Sequence, residues 1–232
     1  MKKFIKIFLL IVGTILLFLV LDRLYVYKNY YIKQDINIKN DGSIAIKHKD
    51  VKNYLDYNGI KIRNDFKNYI FEEDDNSYVQ YDKDEEIINM FAVYNTDTLL
   101  NTFITYDNAL ISNIKVEKYL NDHNINSDLE LLNYIENYKQ YINIFTDSFI
   151  IKMDYYIKSY VEDVLPLIYE YKVIEGDYNG LLVYNYNFEE EENIDVLLFD
   201  DDKVTVLSFI GMNVEEKNVV DLIGTVIVYA EE

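Results

Sequence analysis

The residues of this sequence that come closest to a reactive site are acidic side chains gathered in three clusters. The clusters comprise residues 72–75, 189–192 and 200–202. Paired carboxylates exchange protons in hydrolases, and grouped carboxylates bind calcium. However, Asp200, Asp201 and Asp202 lack the alternating ligands and the central glycine of a calcium loop. Because consecutive residues point in different directions, we expect these aspartates to form no more than a candidate cation patch.

The two later clusters flank one predicted strand, residues 194–199. Six residues of strand span about 20 Å, so acids at its two ends do not share an ion. A weak calcium or cationic-peptide site would need the first cluster to lie at the same end of the sheet. We interpret the acids as points where the chain leaves a sheet for solvent, with an Asp-rich turn after residue 199.

Other chemistry-bearing residues are few. The two histidines, His48 and His123, lie in polar stretches far apart, whereas zinc needs three or four converging ligands. The absence of cysteine from the sequence excludes disulfides, thiolate metal sites and a cysteine nucleophile. A Gly-rich phosphate loop, a G-x-S-x-G elbow and an H-E-x-x-H zinc motif are also absent. We therefore predict no cofactor and no catalytic residue.

The N-terminal segment has the pattern of a secretory signal or a membrane anchor. Three lysines precede an uncharged run over residues 7–21, and several tyrosines follow it. As a helix, residues 4–21 span about 27 Å, close to the hydrocarbon core of about 30 Å, with the tyrosines at the far interface. A signal peptidase needs small residues just after the run, and bulky ones stand there instead. We predict an uncleaved anchor; the alternative is cleavage and secretion.

The charge balance of the remaining chain is strongly acidic. Beyond residue 28 there are 17 Lys and Arg against 40 Asp and Glu. Such a domain repels nucleic acid, so no nucleic-acid partner is predicted. The excess of acid suits a cationic protein or peptide partner, or serves solubility outside the cell.

Three segments are predicted along the chain: an anchor over residues 1–28, a polar stalk over residues 29–58 and an extracytoplasmic domain over residues 59–232. The stretch GSIAIKHKD within the stalk is a candidate first strand. Alternating segments such as NGIKIRNDF and EEIINMFAVYN predict two or three further strands in the first half of the domain.

Helix is predicted in the middle of the domain. Ser127 and Glu130 have the spacing of a capping box. Apolar residues then recur every three or four positions as far as Val164, and Pro166 ends the helix. Because residues 146–148 offer a second cap, one long helix and two shorter ones both fit. We expect the apolar stripe to pack on a sheet, with coiled-coil association as the alternative.

The last part of the domain predicts four antiparallel strands and a closing helix. The strand segments are LIYEYKVI, LLVYNYNF, NIDVLLF and KVTVLSFIG. The last two are apolar on both faces, which is typical of central strands in a covered sheet. A helix through Val219, Val220 and Ile223 follows. The predicted fold is α+β, with an antiparallel sheet covered by helices in an α/β/α sandwich-like arrangement, preceded by an N-terminal transmembrane helix.

This order of elements resembles the PsbP/Mog1-like proteins, in which a central antiparallel sheet lies between helical layers. The resemblance covers about the last hundred residues, through GDYNGLLVYNY, VLLFDDDKVTVLSFIG and VVDLIGTVIV. It implies a membrane-tethered outer domain of binding or assembly type, without catalytic residues. The helical region at residues 127–165 departs from a minimal version of that fold.

These patterns predict a single-pass membrane protein whose C-terminal domain lies outside the cytoplasm and works as a non-catalytic binding or assembly domain. Two alternatives remain open. One is an immunity or inhibitor protein whose acidity complements a basic partner. The other is a hydrolase built on scattered carboxylates.

Overall fold

The architecture comes from a computed structural model, which describes residues 2–31, 36, 38–73, 76–81, 87–106, 111–143, 146–165, 170–186, 192–200, 203–211 and 214–228. The helices are α1 (Lys2–Tyr30), α2 (Leu99–Thr105), α3 (Asn113–Asp122), α4 (Asp128–Glu136), α5 (Ser148–Asp163) and α6 (Glu216–Ile223). The strands are β1 (Lys39–Ile46), β2 (Tyr54–Tyr57), β3 (Ile60–Arg63), β4 (Ile70–Glu72), β5 (Ser77–Tyr81), β6 (Ile87–Thr96), β7 (Glu170–Gly176), β8 (Gly180–Tyr186), β9 (Glu192–Phe199), β10 (Val204–Gly211) and β11 (Ile227–Val228). The α+β class is confirmed.

The strands form one large sheet and one small sheet. The large sheet has eight strands in the order β1-β7-β8-β9-β10-β6-β5-β4, and the small sheet has three, in the order β11-β3-β2. All described pairings are antiparallel except that between β1 and β7, which run parallel. The large sheet is therefore mixed, where a purely antiparallel sheet was predicted.

The segment predicted to be a stalk contributes to the folded domain. Residues 39–46 form β1 at one edge of the large sheet, and residues 54–57 form β2 of the small sheet. The exposed side chains of β1 explain why this segment reads as polar, because an edge strand buries little of its surface. The prediction of a stalk across residues 29–58 is corrected accordingly, whereas the candidate first strand within it is confirmed.

The central position predicted for the last two apolar strands is confirmed. Strands β9 and β10 are fourth and fifth in the large sheet. Val196 and Leu207 pack on one face of that sheet, and Leu197 and Val206 pack on the other. Alternate side chains of a strand point to opposite faces, so strands covered on both sides are apolar throughout.

One face of the large sheet is covered by helices α2 to α5. Buried side chains of these helices pack against Leu181 and Leu197 of the sheet. Ser127 caps α4 by accepting the Glu130 N–H at 3.3 Å, while the Glu130 carboxylate accepts the Asn126 N–H at 2.7 Å. The predicted capping box is thus present, with its return bond one residue earlier than the usual partner.

Two helices, α4 and α5, occupy the stretch where one or two were predicted. Asp147 caps the second of them by accepting the Phe149 N–H at 2.8 Å. The apolar stripe continues across the break because Ile142 is buried there. Ile142 packs against Val26 of α1 and Ile151 of α5, away from the main core.

The opposite face is covered by the small sheet together with α6. Ile60 and Ile62 of β3 and Ile223 of α6 join the buried cluster that contains Leu182 and Phe91 of the large sheet. The closing helix is therefore confirmed. The predicted sandwich with helices on both faces is not confirmed, since a three-stranded sheet shares the second layer.

Helix α1 has two parts with different surroundings. Its apolar side chains at positions 8, 10, 11 and 15–21 are exposed, whereas Val26 is buried against the domain. Over residues 10–30 it is long and apolar enough to cross a membrane, and it is the one such helix in the described part of the chain. A signal sequence has the same length and composition.

Candidate functional site

The described members of the acidic clusters lie at separate places in the large sheet. The Asp200 N–H donates to the Lys203 carbonyl at 3.0 Å, which closes the turn between β9 and β10. Glu72 lies on the edge strand β4, four strands from β9 and therefore about 19 Å away. Asp74, Asp75, Asp201, Asp202 and residues 187–191 lie outside the described residues. The candidate cation patch therefore stays a prediction.

No group of three or more Asp, Glu, His or Cys side chains with metal-binding geometry occurs among the residues that are described. Both histidines make structural contacts. The His48 Nδ1 lies 2.9 Å from the Tyr178 hydroxyl, which itself donates to the Val226 carbonyl at 2.8 Å. The His123 Nδ1 lies 2.7 Å from the Tyr119 carbonyl at the end of α3.

One spacing with catalytic precedent was not recognised in the sequence. Ser112 and Lys115 have the Ser-x-x-Lys spacing of serine acyl-transfer enzymes. Both side chains are exposed at the first turn of α3, and neither lines a described cavity. An acyl-transfer site needs an enclosed nucleophile beside oxyanion donors, so we assign no role to this pair.

Asp128 is a buried carboxylate in the helical layer. It accepts the Leu99 N–H at 3.1 Å and the Leu100 N–H at 2.8 Å, so a residue of α4 satisfies the first turn of α2. Burial raises the pKa of Asp128, and the two backbone hydrogen bonds oppose that shift. These contacts give Asp128 a structural role, because it joins α4 to the start of α2.

Asp154 is the second buried carboxylate of that layer. Its Oδ2 lies 3.1 Å from the Lys158 Nζ, one turn further along α5. Burial raises the pKa of Asp154, and Lys158 and the Tyr138 hydroxyl oppose the shift. A polar cleft of about 450 Å³ lies nearby, lined by residues 123–125, 130, 133–134 and 137–140. Asp154 does not line it, so we interpret the acid as half of a core ion pair.

A smaller and more apolar pocket lies on the opposite face, between α6, the small sheet and the large sheet. Its volume is about 250 Å³. Its lining residues are Arg63, Asp65, Phe66, Tyr69, Asn89, Phe209, Val214, Glu215, Asn218, Val219, Asp221 and Leu222. We name this cavity the α6 pocket. Phe66 stacks on Phe91 with ring centroids 4.3 Å apart, which fixes one aromatic wall.

The Asn89 amide lies at the sheet side of the α6 pocket. This residue is only 8% exposed, and its Nδ2 donates to the Gln80 Oε1 at 2.9 Å. Its Oδ1 lies beside Gly211, where a Cβ would approach that oxygen to 2.7 Å. Gly211 has a φ of 135°, a conformation that favours glycine, and so leaves room for the amide. The pocket thus combines apolar walls with one buried polar group.

An ion network forms the rim of the α6 pocket. Arg63 donates to Asp65 through Nε at 2.9 Å and through Nη2 at 2.6 Å, and its Nη1 donates to Asp221 at 2.8 Å. The Lys49 Nζ reaches the other oxygen of Asp221 at 2.6 Å. Hydrogen bonds from Lys49 and Arg63 lower the pKa of Asp221 to about 2. This carboxylate therefore stays ionised at neutral pH.

The chemistry of the α6 pocket favours binding over proton transfer. A general acid needs a pKa near the working pH, and Asp221 is far below it. Three carboxylates line the pocket, from Asp65, Glu215 and Asp221, and the two cations Arg63 and Lys49 pair with Asp65 and Asp221, which leaves the charge of Glu215 in excess. Aromatic rings beside an excess of negative charge suit an organic cation with an apolar stem.

Sequence reasoning did not find the α6 pocket because its parts are distant in the chain. Arg63 and Asp221 are separated by 158 positions. One local signal is the pair Arg63 and Asp65, which a single sequence does not distinguish from an ordinary surface pair. The glycine at residue 211 carries a signal too, since glycine inside a strand often marks a close approach.

Comparison with protein-family models, with curated proteins and with solved structures finds no match to this chain. The resemblance to the PsbP/Mog1-like family therefore stays a prediction. What the protein does is inferred below from its own residues.

Proposed function

We propose that the protein is a single-pass membrane protein that holds an acidic α+β domain outside the cytoplasm and binds a partner there without catalysis. The observation that carries this proposal is the division of α1 into two parts. The side chains of its apolar stretch are exposed and could contact lipid, while its last turns pack on α5. An anchor that is continuous with its domain combines these two features.

The packing of α1 on α5 supports an anchor that is retained after export. Val26, Tyr27 and Tyr30 of α1 contact Ile142 and Ile151 of the domain. Cleavage after the apolar run would leave this patch with a short, untethered segment of chain. Because α1 is one continuous helix from Lys2 to Tyr30, this contact holds the apolar run in a fixed position on the domain of the uncleaved chain.

The charges on either side of the apolar run support an outward domain. Lys2, Lys3 and Lys6 precede the run, whereas Arg23 and Lys28 follow it. Positive charge is retained on the cytoplasmic side of a membrane helix. This bias favours a cytoplasmic N-terminus and an external C-terminal domain.

The α6 pocket is the proposed binding site of this domain. Its acids exceed its bases, and the chain as a whole carries a formal charge of −19. Long-range attraction would bring a basic partner to the domain, and the pocket would take one of its cationic side chains. The stem of such a side chain would lie along Phe66 and Phe209, which line the cavity.

An immunity or inhibitor protein is the second candidate, and the same excess of acid favours it. Inhibitors of basic enzymes and toxins are themselves acidic, because opposite charge speeds their association. Co-expression with a basic toxin of the same cell would give protection under this candidate. An assembly factor would give none.

Site-specific photo-crosslinking in living cells tests the proposed binding site. A photoreactive amino acid replaces Asn218, which is exposed and lines the α6 pocket, or Asn121, an exposed residue of the same type on α3. We expect position 218 to capture a basic protein and position 121 to capture none. Equal capture at both positions, or an acidic product at position 218, would contradict the proposal.

A charge variant refines this experiment. Glu215→Gln removes one exposed rim carboxylate, and Glu117→Gln removes an exposed carboxylate from α3. We expect the first variant to lower capture at position 218. We also expect added salt to reduce capture less steeply in this variant than in the wild type. Capture lowered equally by both variants would point to net charge alone.

A further inference from the structure

The end of α1 runs side by side with the start of α5, in the same direction. The Ser148 Oγ donates to the Asp22 Oδ2 at 3.0 Å. Val26 packs with Ile151, and the rings of Tyr30 and Tyr155 meet edge to face at 5.5 Å. Contacts therefore advance together along both helices, which fixes the position of α5 along α1.

This alignment sets the height of the domain relative to the membrane. Asp22 directly follows Leu21, the last residue of the uncharged run. Since Asp22 contacts the first residue of α5, that helix begins where α1 leaves the hydrocarbon core. The contact comes before residue 29, so no spacer separates the domain from the bilayer.

The side chains at this height suit the interfacial layer of a bilayer. Tyr141 is 85% exposed beside buried Ile142, and Ile150 is 37% exposed beside buried Ile151. Tyr25 is exposed on α1. Tyrosine is enriched at membrane interfaces because its ring is apolar and its hydroxyl is polar. Exposed apolar groups next to a membrane helix continue its lipid-facing surface.

The charges at the junction are mixed within a domain that is otherwise acidic. Arg23, Lys28 and Lys152 lie there, with Asp22 and Asp147 among them. The Lys152 Nζ lies 5.9 Å from the centroid of the Tyr30 ring, at the side of α1. A near-neutral junction approaches phosphate headgroups without the repulsion that the rest of the domain would meet.

We propose that the domain rests on the bilayer that α1 spans, with Tyr141 and Ile150 inserted in the interfacial layer. The proposal depends on the proposed membrane anchor and adds the lipid surface as a second partner of the domain. The α1–α5 contact then acts as a rigid mount, which holds the α6 pocket at a fixed orientation to the membrane.

Nitroxide labels on single cysteines test this proposal, and the cysteine-free sequence makes the labelling selective. The full chain is reconstituted in vesicles of phosphatidylcholine and phosphatidylglycerol. Labels are placed at residues 17, 141 and 150. The control label is at Ile227, which matches Ile150 in type and is also 37% exposed but belongs to the small sheet on the opposite face. Accessibility to oxygen is compared with accessibility to a water-soluble nickel chelate.

We expect the ratio of oxygen to nickel accessibility to be highest at position 17 and several-fold higher at positions 141 and 150 than at position 227. If positions 141 and 150 match position 227 while position 17 is in lipid, the resting domain is excluded and the anchor stands. Nickel access at position 17 would reject the anchor as well. Low accessibility to both reagents at positions 141 and 150 would mean that protein covers them, which also overturns the proposal.

A second variant tests whether the contact between α1 and α5 sets the height of the domain above the membrane. Val26→Asp places a charge in the packed contact between α1 and α5, where Val26 is buried. We expect the labels at positions 141 and 150 to gain nickel access while the label at position 17 stays in lipid. Unchanged ratios in this variant would show that the α1–α5 contact does not set the height of the domain.

Discussion

The two faces of the large sheet handle charge in different ways. In the helical layer, Asp128 and Asp154 are buried; Asp128 accepts hydrogen bonds from the start of α2, and Asp154 forms an ion pair with Lys158. In the layer of the small sheet, Asp65 and Asp221 form the rim of a pocket and are partly exposed. Burial makes the first set structural, whereas the second set is accessible from solvent. Raised pKa values alone would have pointed to the helical layer, where both acids make structural contacts.

The largest expected effect comes from the aromatic core of the helical layer. Phe103 lies between Tyr156 and Tyr160, with ring centroids 5.0 and 4.9 Å away. We expect Phe103→Ala to lower the free energy of unfolding by about 3–5 kcal/mol, because it leaves a cavity in a closed core. Urea unfolding of the full chain in detergent measures this. Ile114→Ala, at an exposed position, is the control and should change it by less than about 0.5 kcal/mol.

The next effect concerns the buried joint between α2 and α4. Asp128→Ala leaves the Leu99 and Leu100 N–H groups without their carboxylate acceptor. We expect a loss of about 2 kcal/mol, and a smaller loss for Asp128→Asn, which keeps one acceptor oxygen. Thr98→Ala, which removes the local cap of α2, should cost about 1 kcal/mol. If Asp128→Ala costs no more than Thr98→Ala, the carboxylate is not the principal cap.

The pH dependence of this joint has a definite sign. Since the pKa of Asp128 is raised in the folded protein, the folded state holds the proton more tightly than the unfolded state. Stability relative to Asp128→Asn should therefore rise as the pH falls through the folded pKa towards 3.8, the ordinary value. A relative loss of stability over that window would contradict the account.

The smallest effect on stability is expected at the rim of the α6 pocket. Asp221→Asn breaks an exposed network, so we expect a cost below about 1 kcal/mol. The pKa of Asp221 is lowered from 3.8 to about 2, so the contribution of its charge is complete above 3.8 and is lost as the pH falls towards 2. Urea unfolding at pH 7 and at pH 2 measures it. If Asp221→Asn lowers the free energy of unfolding as much as Asp128→Ala does, the acids of the two faces do not differ in their structural role.

Local patterns predicted the elements that depend on neighbouring residues. The two-faced apolar strands β9 and β10, the capping box at Ser127 and the closing helix α6 all follow from periodicity and capping. Their stability comes from the core on which they pack, and that core requires their apolar pattern.

Local sequence patterns did not predict the features that join distant segments of the chain. The parallel pairing of β1 with β7 brings together residues about 130 positions apart, so the local pattern predicted the strand but not its partner. The sequence left the break between α4 and α5 undecided because Ile142 keeps the apolar spacing while packing on α1. The α6 pocket likewise depends on Arg63 meeting Asp221 across the fold.

The state of the N-terminus in the cell tests the central claim most directly. The full chain is expressed in a bacterial cell, membranes are washed with alkaline carbonate, and the intact mass and N-terminal sequence of the product are determined. We predict a product of about 27.7 kDa that stays with the membrane and retains the lysines before the apolar run. A shorter product that begins after residue 21 and is released to the medium would contradict a membrane-anchored domain.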